Sequence, residues 1–254
     1  MIDTHCHLCD RRFDRDREQV IERAHLAGVR HFVEIAYAPT LLDPAFALAA
    51  KHANLFLSLG VHPSEAGRVP MAFLDTLRDR ARHARVIAIG ETGLDFHRDH
   101  APREDQERWF HEQLVLADEL GLPVVIHQRN ALEETLSILE KAAPEAGGVL
   151  HCFDDGFAAV ERARAIGFKL GIGGSITYRH KPLDEAVSTA PDDMLLLETD
   201  APYLEPEPRT LKRNEPALLP RVVARLCELR GWTKEEADRI TTANAKALFR
   251  LPIG

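Results

Sequence analysis

Short apolar runs and longer amphipathic stretches alternate from one end of the chain to the other. The first apolar run, residues 1–8, leads to a helical stretch over 14–28 with Val20, Ile21, Ala24 and Leu26 on or near one face and Gly28 as its stop. The alternation continues as strand 31–36, helix 41–52, strand 55–61, helix 71–83 and strand 86–90. In the second half it reads helix 103–120, strand 123–126, helix 131–143, strand 148–150, helix 157–166, strand 168–172, a short helix 183–190 and strand 194–197. Helices over 216–230 and 234–249 close the chain. Eight strands, each followed by a helix or helical turn, without linker, low-complexity tract or repeat, predict an α/β fold: one (β/α)8 TIM barrel spanning 1–254.

The 254 residues suit a barrel of this kind as a single domain, and a hydrophobic fraction of 45% supplies a sizeable core and excludes disorder. A net charge of -8 argues against a broad basic surface that coats nucleic acid. It leaves room for a small site that draws phosphate through bound cations and a few arginines or lysines. The N-terminus lacks a basic stretch followed by an apolar one, and no apolar run has the length to span a bilayer. The expectation is a soluble cytoplasmic protein, monomeric and without membrane partners. Of the four cysteines, Cys6 and Cys9 have zinc-knuckle or redox-pair spacing, but no second such pair follows and Cys6 should face away from its histidine neighbours. Ordinary reduced thiols are expected.

Candidate chemistry sits at strand ends. A period of two sends His5 and His7 to one face of the first strand, and two imidazoles side by side are a metal-ligand pair. His62 follows the third strand, Glu91 the fourth, His127 ends the fifth, His151 the sixth and Asp200 the eighth. In a barrel these ends converge on one mouth, where the active site is built. The donors suffice for two divalent cations. Two metals about 3.5–4 Å apart require a bridging ligand, and Glu91, midway in strand order, is the natural bridge. Barrel adjacency then assigns His5, His7 and Asp200 to one metal and His127 and His151 to the other. Glu198 shares the face of Asp200 one layer deeper and is read as support for a ligand histidine, as Asp95 is read as a holder of its loop or of such a histidine.

The chain also resembles the TatD family of metal-dependent hydrolases, within the amidohydrolase-like barrels, over nearly its full length. The resemblance lies in IDTHCHL at the start, GVHP at 60–63, AIGETGLDF at 88–96, PVVIHQR at 123–129 and LHCF at 150–153. It continues in LLLETDAPYL at 195–204, KRNEP at 212–216 and TTANAKALF at 241–249. It implies His5, His7, Glu91, His127, His151 and Asp200 as metal ligands, His62 as a cleft residue, and deoxyribonuclease activity, often exonucleolytic from the 3′ end. Two departures stand out. Where the family often has HSRD this chain has His127-Gln128-Arg129-Asn130, and where HCFSGS is common it has His151-Cys152-Phe153-Asp154-Asp155-Gly156. The added acids would repel a polyanion if they face the cleft.

Together these readings predict a hydrolase in which a water held by two cations ionises near neutral pH, with Asp200 accepting its proton. Arg129, Lys212 or Arg213 would meet charge on a phosphoryl group, His62 would orient the phosphate or protonate the leaving oxygen, and Tyr203 would stack on a terminal base. Surface salt bridges compete for Arg129 and Arg213, and packing within its own loop for Tyr203. Four histidine ligands favour tightly bound Zn, Mn, Co or Ni, whereas the family's nucleases are assayed with Mg, which is expected to support turnover. The expected partner is DNA, at single-stranded ends. The alternative is an ester or amide substrate such as a D-aminoacyl-tRNA, and a third is a non-catalytic barrel stabilised by metal.

Overall fold

The computed structural model describes residues 1–98 and 100–253. Its elements are β1 (Ile2–Cys6), α1 (Arg17–Leu26), β2 (His31–Ala36), α2 (Pro39–Lys51), β3 (Leu55–Leu59), α3 (Phe73–Ala81), β4 (Val86–Asp95), α4 (Arg103–Leu120) and β5 (Val124–Arg129). They continue as α5 (Leu132–Ala142), β6 (Gly148–Leu150), α6 (Phe157–Ala165), β7 (Phe168–Ile172), α7 (Lys181–Thr189), β8 (Leu195–Leu197), α8 (Leu219–Arg230) and α9 (Lys234–Phe249). The eight strands lie in chain order, each parallel to the next. β1 meets β8 and the chain just beyond it: Thr4 Oγ1–H donates to Leu197 O at 3.0 Å, Asp200 N–H to His5 O at 2.9 Å, and His7 N–H to Ala201 O at 2.8 Å. The result is the nearly closed (β/α)8 barrel that the alternation predicts. Among the described residues no helix is long and apolar enough to cross a membrane.

Apolar residues divide into two buried sets. The larger packs helices against strands and includes Trp109 and Phe110 of α4. The smaller holds Val33, Ile35, Phe56, Val125, Val149 and Leu196 from the strands, with Leu248 and Phe249 at the end of α9. Alternation along a strand puts Val125 on the face of His127 and Val149 on that of His151, so the candidate ligands continue this apolar layer toward the mouth.

Three differences from the predicted elements bear on the site. α1 starts later than expected because a 3-10 turn at Arg11–Phe13 intervenes, and Leu26 is 83% exposed, so its buried face is Val20, Ile21 and Ala24. β4 does not end at Gly90 but runs to Asp95, with a shift in its pairing to β5 between Gly90 and Thr92. Gly90 has φ +139° there, and a Cβ on it would run into Val125, so only glycine lets the strand irregularity deliver Glu91. β8 stops at Leu197, and Asp200 lies beyond it with φ +54°.

Candidate metal centre

His5 comes from β1 and His7 from the residue after its end, on the same face. Glu91 follows the irregularity of β4, His127 lies within β5, and His151 follows β6 directly. His62 caps a 3-10 turn at Pro63–Glu65, its Nδ1 accepting the Ser64 N–H at 3.0 Å.

These side chains form two groups joined by one carboxylate. In the first, His5 Nε2 and His7 Nε2 are 3.2 Å apart, and Asp200 Oδ1 is 3.1 Å from His7 Nε2 and 3.6 Å from His5 Nε2. Glu91 Oε2 faces this group, 3.5 Å from His5 Nε2 and 4.0 Å from His7 Nε2. In the second, Glu91 Oε1 lies 2.9 Å from both His127 Nδ1 and His151 Nε2 and 3.5 Å from His62 Nε2, with His127 Nδ1 and His151 Nε2 3.2 Å apart. Donor atoms about 2.0–2.1 Å from one tetrahedral ion stand roughly 3.3–3.4 Å apart. The first group spans 3.1–4.0 Å and the second 2.9–3.5 Å. Nitrogen and carboxylate donors at these spacings, buried together, fit divalent cations of the borderline type.

Residues behind the donors hold them. Glu198, fully buried, places Oε1 3.7 Å from His151 Nδ1 and accepts the Cys152 N–H. Its space exists because residue 171 is glycine: a Cβ there would run into the Glu198 carboxylate. Asp95 accepts the His97 and Arg98 N–H groups at 2.9 and 3.0 Å and turns Oδ2 toward His127 Nε2 at 3.5 Å. It thus performs both roles read from the sequence.

Burial alone would raise the pKa of Glu91, but the charges of His151 and His62 and hydrogen bonds from His127 and His151 outweigh it and hold the carboxyl well below its usual range. Asp200 is likewise held down, against burial, by His7. Burial lowers His62 to about 3, so its ring is neutral.

The candidate substrate residues fare unequally. Arg129 and Lys212 are exposed. Arg213 is not free: its guanidinium donates to Asp16 Oδ1 and Oδ2, both at 2.8 Å, and to Arg12 O at 2.7 Å. Of its two sequence readings, this geometry is that of the salt bridge. Tyr203, 41% exposed, sits edge-on to His7 with centroids 5.7 Å apart. Asp155 is half-buried and accepts Gln128 Nε2–H at 2.6 Å, whereas Asp154 and Asn130 are exposed. The four cysteines are free, and Cys6 faces away from the histidines toward Val33 O.

Several residues at the site escaped the sequence reading. Tyr37 packs edge-on to His7 and His62, at 5.3 and 5.6 Å. Arg12 lies over the Tyr203 ring at 4.1 Å and chelates Asp10 with two hydrogen bonds of 2.9 Å. Buried Glu34 accepts the Leu8 and Cys9 N–H groups at 2.6 and 3.0 Å and so fixes the turn after His7. For Glu34 a signal existed: it is the one charge inside the apolar run Phe32-Val33-Glu34-Ile35-Ala36. Arg12 and Tyr37 carried none.

The family profile "TatD related DNase" matches residues 2–250. The "Uncharacterized metal-dependent hydrolase YabD" of Bacillus subtilis is 37% identical over 253 residues, covering 99% of each chain. The "3'-5' ssDNA/RNA exonuclease TatD" of Erwinia amylovora is 40% identical, over 99% of this chain and all of the relative. Among solved structures, YJJV, a TatD homologue from Escherichia coli, superposes with a TM-score of 0.94 at 34% identity, covering 99% of this chain and 98% of its own. A dihydroorotase from Campylobacter jejuni, at 12% identity and a TM-score of 0.62 over 99% of this chain and 83% of its own, shares the fold alone. Matched end to end by the family profile and by these relatives, the chain belongs to the TatD family of metal-dependent hydrolases.

Proposed function

We propose that the protein is a metal-dependent nuclease that removes nucleotides from the 3′ ends of single-stranded DNA, acting as a cytoplasmic monomer. The observation that carries this reading is the division of Glu91: one oxygen faces His5, His7 and Asp200, and the other faces His127 and His151. That is the arrangement two bridged divalent cations require. His5, His7 and Asp200 would hold one ion, His127 and His151 the other, and Glu91 both. Cations bound there would supply Lewis acidity toward a water and the phosphoryl oxygens. A relative named for 3'-5' ssDNA/RNA exonuclease activity is matched along its whole length, which favours a phosphodiester as substrate.

Asp200 accepts the proton of the attacking water. His62 lines the cleft and orients the phosphate or protonates the leaving oxygen. Its Nδ1 accepts the Ser64 N–H, so the neutral ring carries its proton on Nε2, the nitrogen turned toward the site beside Glu91. Arg129 and Lys212, both exposed, meet the flanking phosphates, whereas Arg12 and Arg213 are engaged by Asp10 and Asp16. Tyr203 offers a ring to the terminal base.

A second reading rests on Asp155, held beside the mouth by Gln128, with Asp154 next to it. Two carboxyls there disfavour a long polyanion and favour a smaller ester or amide. One assay separates the two. Metal-stripped protein reloaded with Mn or Mg is given 3′-labelled and 5′-labelled single-stranded DNA, with Asp200→Asn alongside. Stepwise loss of 3′ nucleotides by the wild type and not by the variant is expected. No cleavage by metal-loaded wild type, with brisk cleavage of a carboxylic ester, would replace the nuclease by the second reading.

A further inference from the structure

Asp200 lies beyond the end of β8. That strand stops at Leu197 and the backbone at Asp200 is left-handed, yet the chain there still pairs with β1, through Asp200 N–H on His5 O, His7 N–H on Ala201 O and the bridge between Cys6 and Ala201. The hydrogen bonds of its predecessor Thr199 reinforce this short pairing. Thr199 N–H donates to Asp3 Oδ1 at 3.0 Å and Thr199 Oγ1–H to Asp3 Oδ2 at 2.6 Å, while Thr199 O accepts from Asn214 Nδ2 at 2.7 Å. The same hydroxyl oxygen accepts the Ala201 N–H at 3.2 Å, which secures the residue on the other side of Asp200. Asp3 Oδ1 also accepts the His5 N–H at 3.3 Å, so one carboxylate ties the backbone of His5 to that of Thr199. Asn214 bonds Tyr203 O as well, at 2.6 Å. Asp3, Thr199 and Asn214 are all buried to within 1% of completely.

We propose that Asp3, Thr199 and Asn214 are positioning residues that lock Asp200 in register with His5 and so set how tightly that half of the site binds a divalent cation. In this light KRNEP is a latch as well as the carrier of Lys212. Arg213 fastens it to Asp16, Arg23 donates to both oxygens of Glu215 at 2.9 and 2.7 Å, and Asn214 reaches through to Thr199. Groups that orient ligands from behind typically change metal affinity by about 10–100-fold when removed. The clamp rests on the reading of Asp200 as a ligand, and its test separates the two.

The test uses the full-length chain stripped of metal and titrated with Co²⁺, followed by visible absorption and calorimetry, with the melting temperature of each metal-free protein measured in parallel. Thr199→Val removes only the hydroxyl, and Thr199→Ser keeps it. Thr199→Val is expected to weaken one Co²⁺ site by about 10–100-fold and to alter its absorption bands, with Thr199→Ser close to wild type. Asn214→Ala releases the carbonyl of Thr199 independently and is expected to weaken the same site about tenfold, which keeps the proposal testable if Thr199→Val does not fold. Wild-type Co²⁺ affinity and spectrum in Thr199→Val and Asn214→Ala, with affinity lost in Asp200→Asn, would overturn the clamp while leaving the ligand assignment intact. Undiminished affinity in Asp200→Asn itself would remove the ligand assignment and the clamp with it.

Discussion

Glu91 Oε1 lies 2.9 Å from His151 Nε2, although β4 and β6 are separated by β5. The carboxylate therefore reaches across the barrel axis side of β5, and its second oxygen is left for the histidines of β1. Glu91→Gln keeps the shape but removes the charge two cations would share. Elemental analysis is expected to show fewer bound ions per chain than in wild type, and nuclease activity should fall by roughly 100-fold or more. Full metal content in this variant would mean that Glu91 does not bridge.

Gly171 makes room for Glu198, the carboxylate behind His151. Gly171→Ala overpacks that space, which costs about 1–3 kcal/mol. For a chain of this size the melting temperature should drop by roughly 3–10 °C. An unchanged melting temperature would show that Glu198 moves aside freely.

Asp16 receives Arg213 and Arg23, and their hydrogen bonds hold its carboxyl down to about 2 in the folded chain. A carboxyl whose folded pKa is depressed stabilises the fold above its unfolded pKa, and that contribution fades as pH falls through the folded value. The stabilisation is thus complete above about pH 4 and lost by about pH 2. Solvent reaches this pair, so Asp16→Asn is expected to cost about 1 kcal/mol at pH 7. Denaturant melts of both proteins should converge at pH 2; a gap that persists there would assign the effect to packing.

Arg213 and Lys212 are neighbours with opposite expected phenotypes. Arg213→Ala should lower the melting temperature by a few degrees through loss of its Asp16 pair, with KM shifting less than threefold. Lys212→Ala should leave the melting temperature alone, raise KM for DNA, and flatten its salt dependence by about one charge. A reversal of the two phenotypes would return Arg213 to the substrate.

The barrel and its donor set were legible because period-two strands and residues at their ends are written locally. His5, His7, His127 and His151 come together where the strand order says they should. α9 matches its predicted bounds because Thr233 and Glu236 form a capping box that marks its start. What escaped depends on contacts distant in sequence. Arg213 read as a phosphate ligand because its partner Asp16 is 197 residues away. Arg12 meets Tyr203, far away in sequence, from a 3-10 turn that no local pattern announces. β4 extends past Gly90 because glycine tolerates the irregular backbone there, a possibility that an apolar run ending in glycine conceals.

The central claim is that Glu91 joins two cation sites, and anomalous diffraction from crystals grown with Mn²⁺ or Zn²⁺ tests it most directly. The account predicts two peaks about 3.5–4 Å apart on either side of the Glu91 carboxylate, one bounded by His5, His7 and Asp200 and the other by His127 and His151. A single peak, or peaks that leave Glu91 unligated, would contradict it.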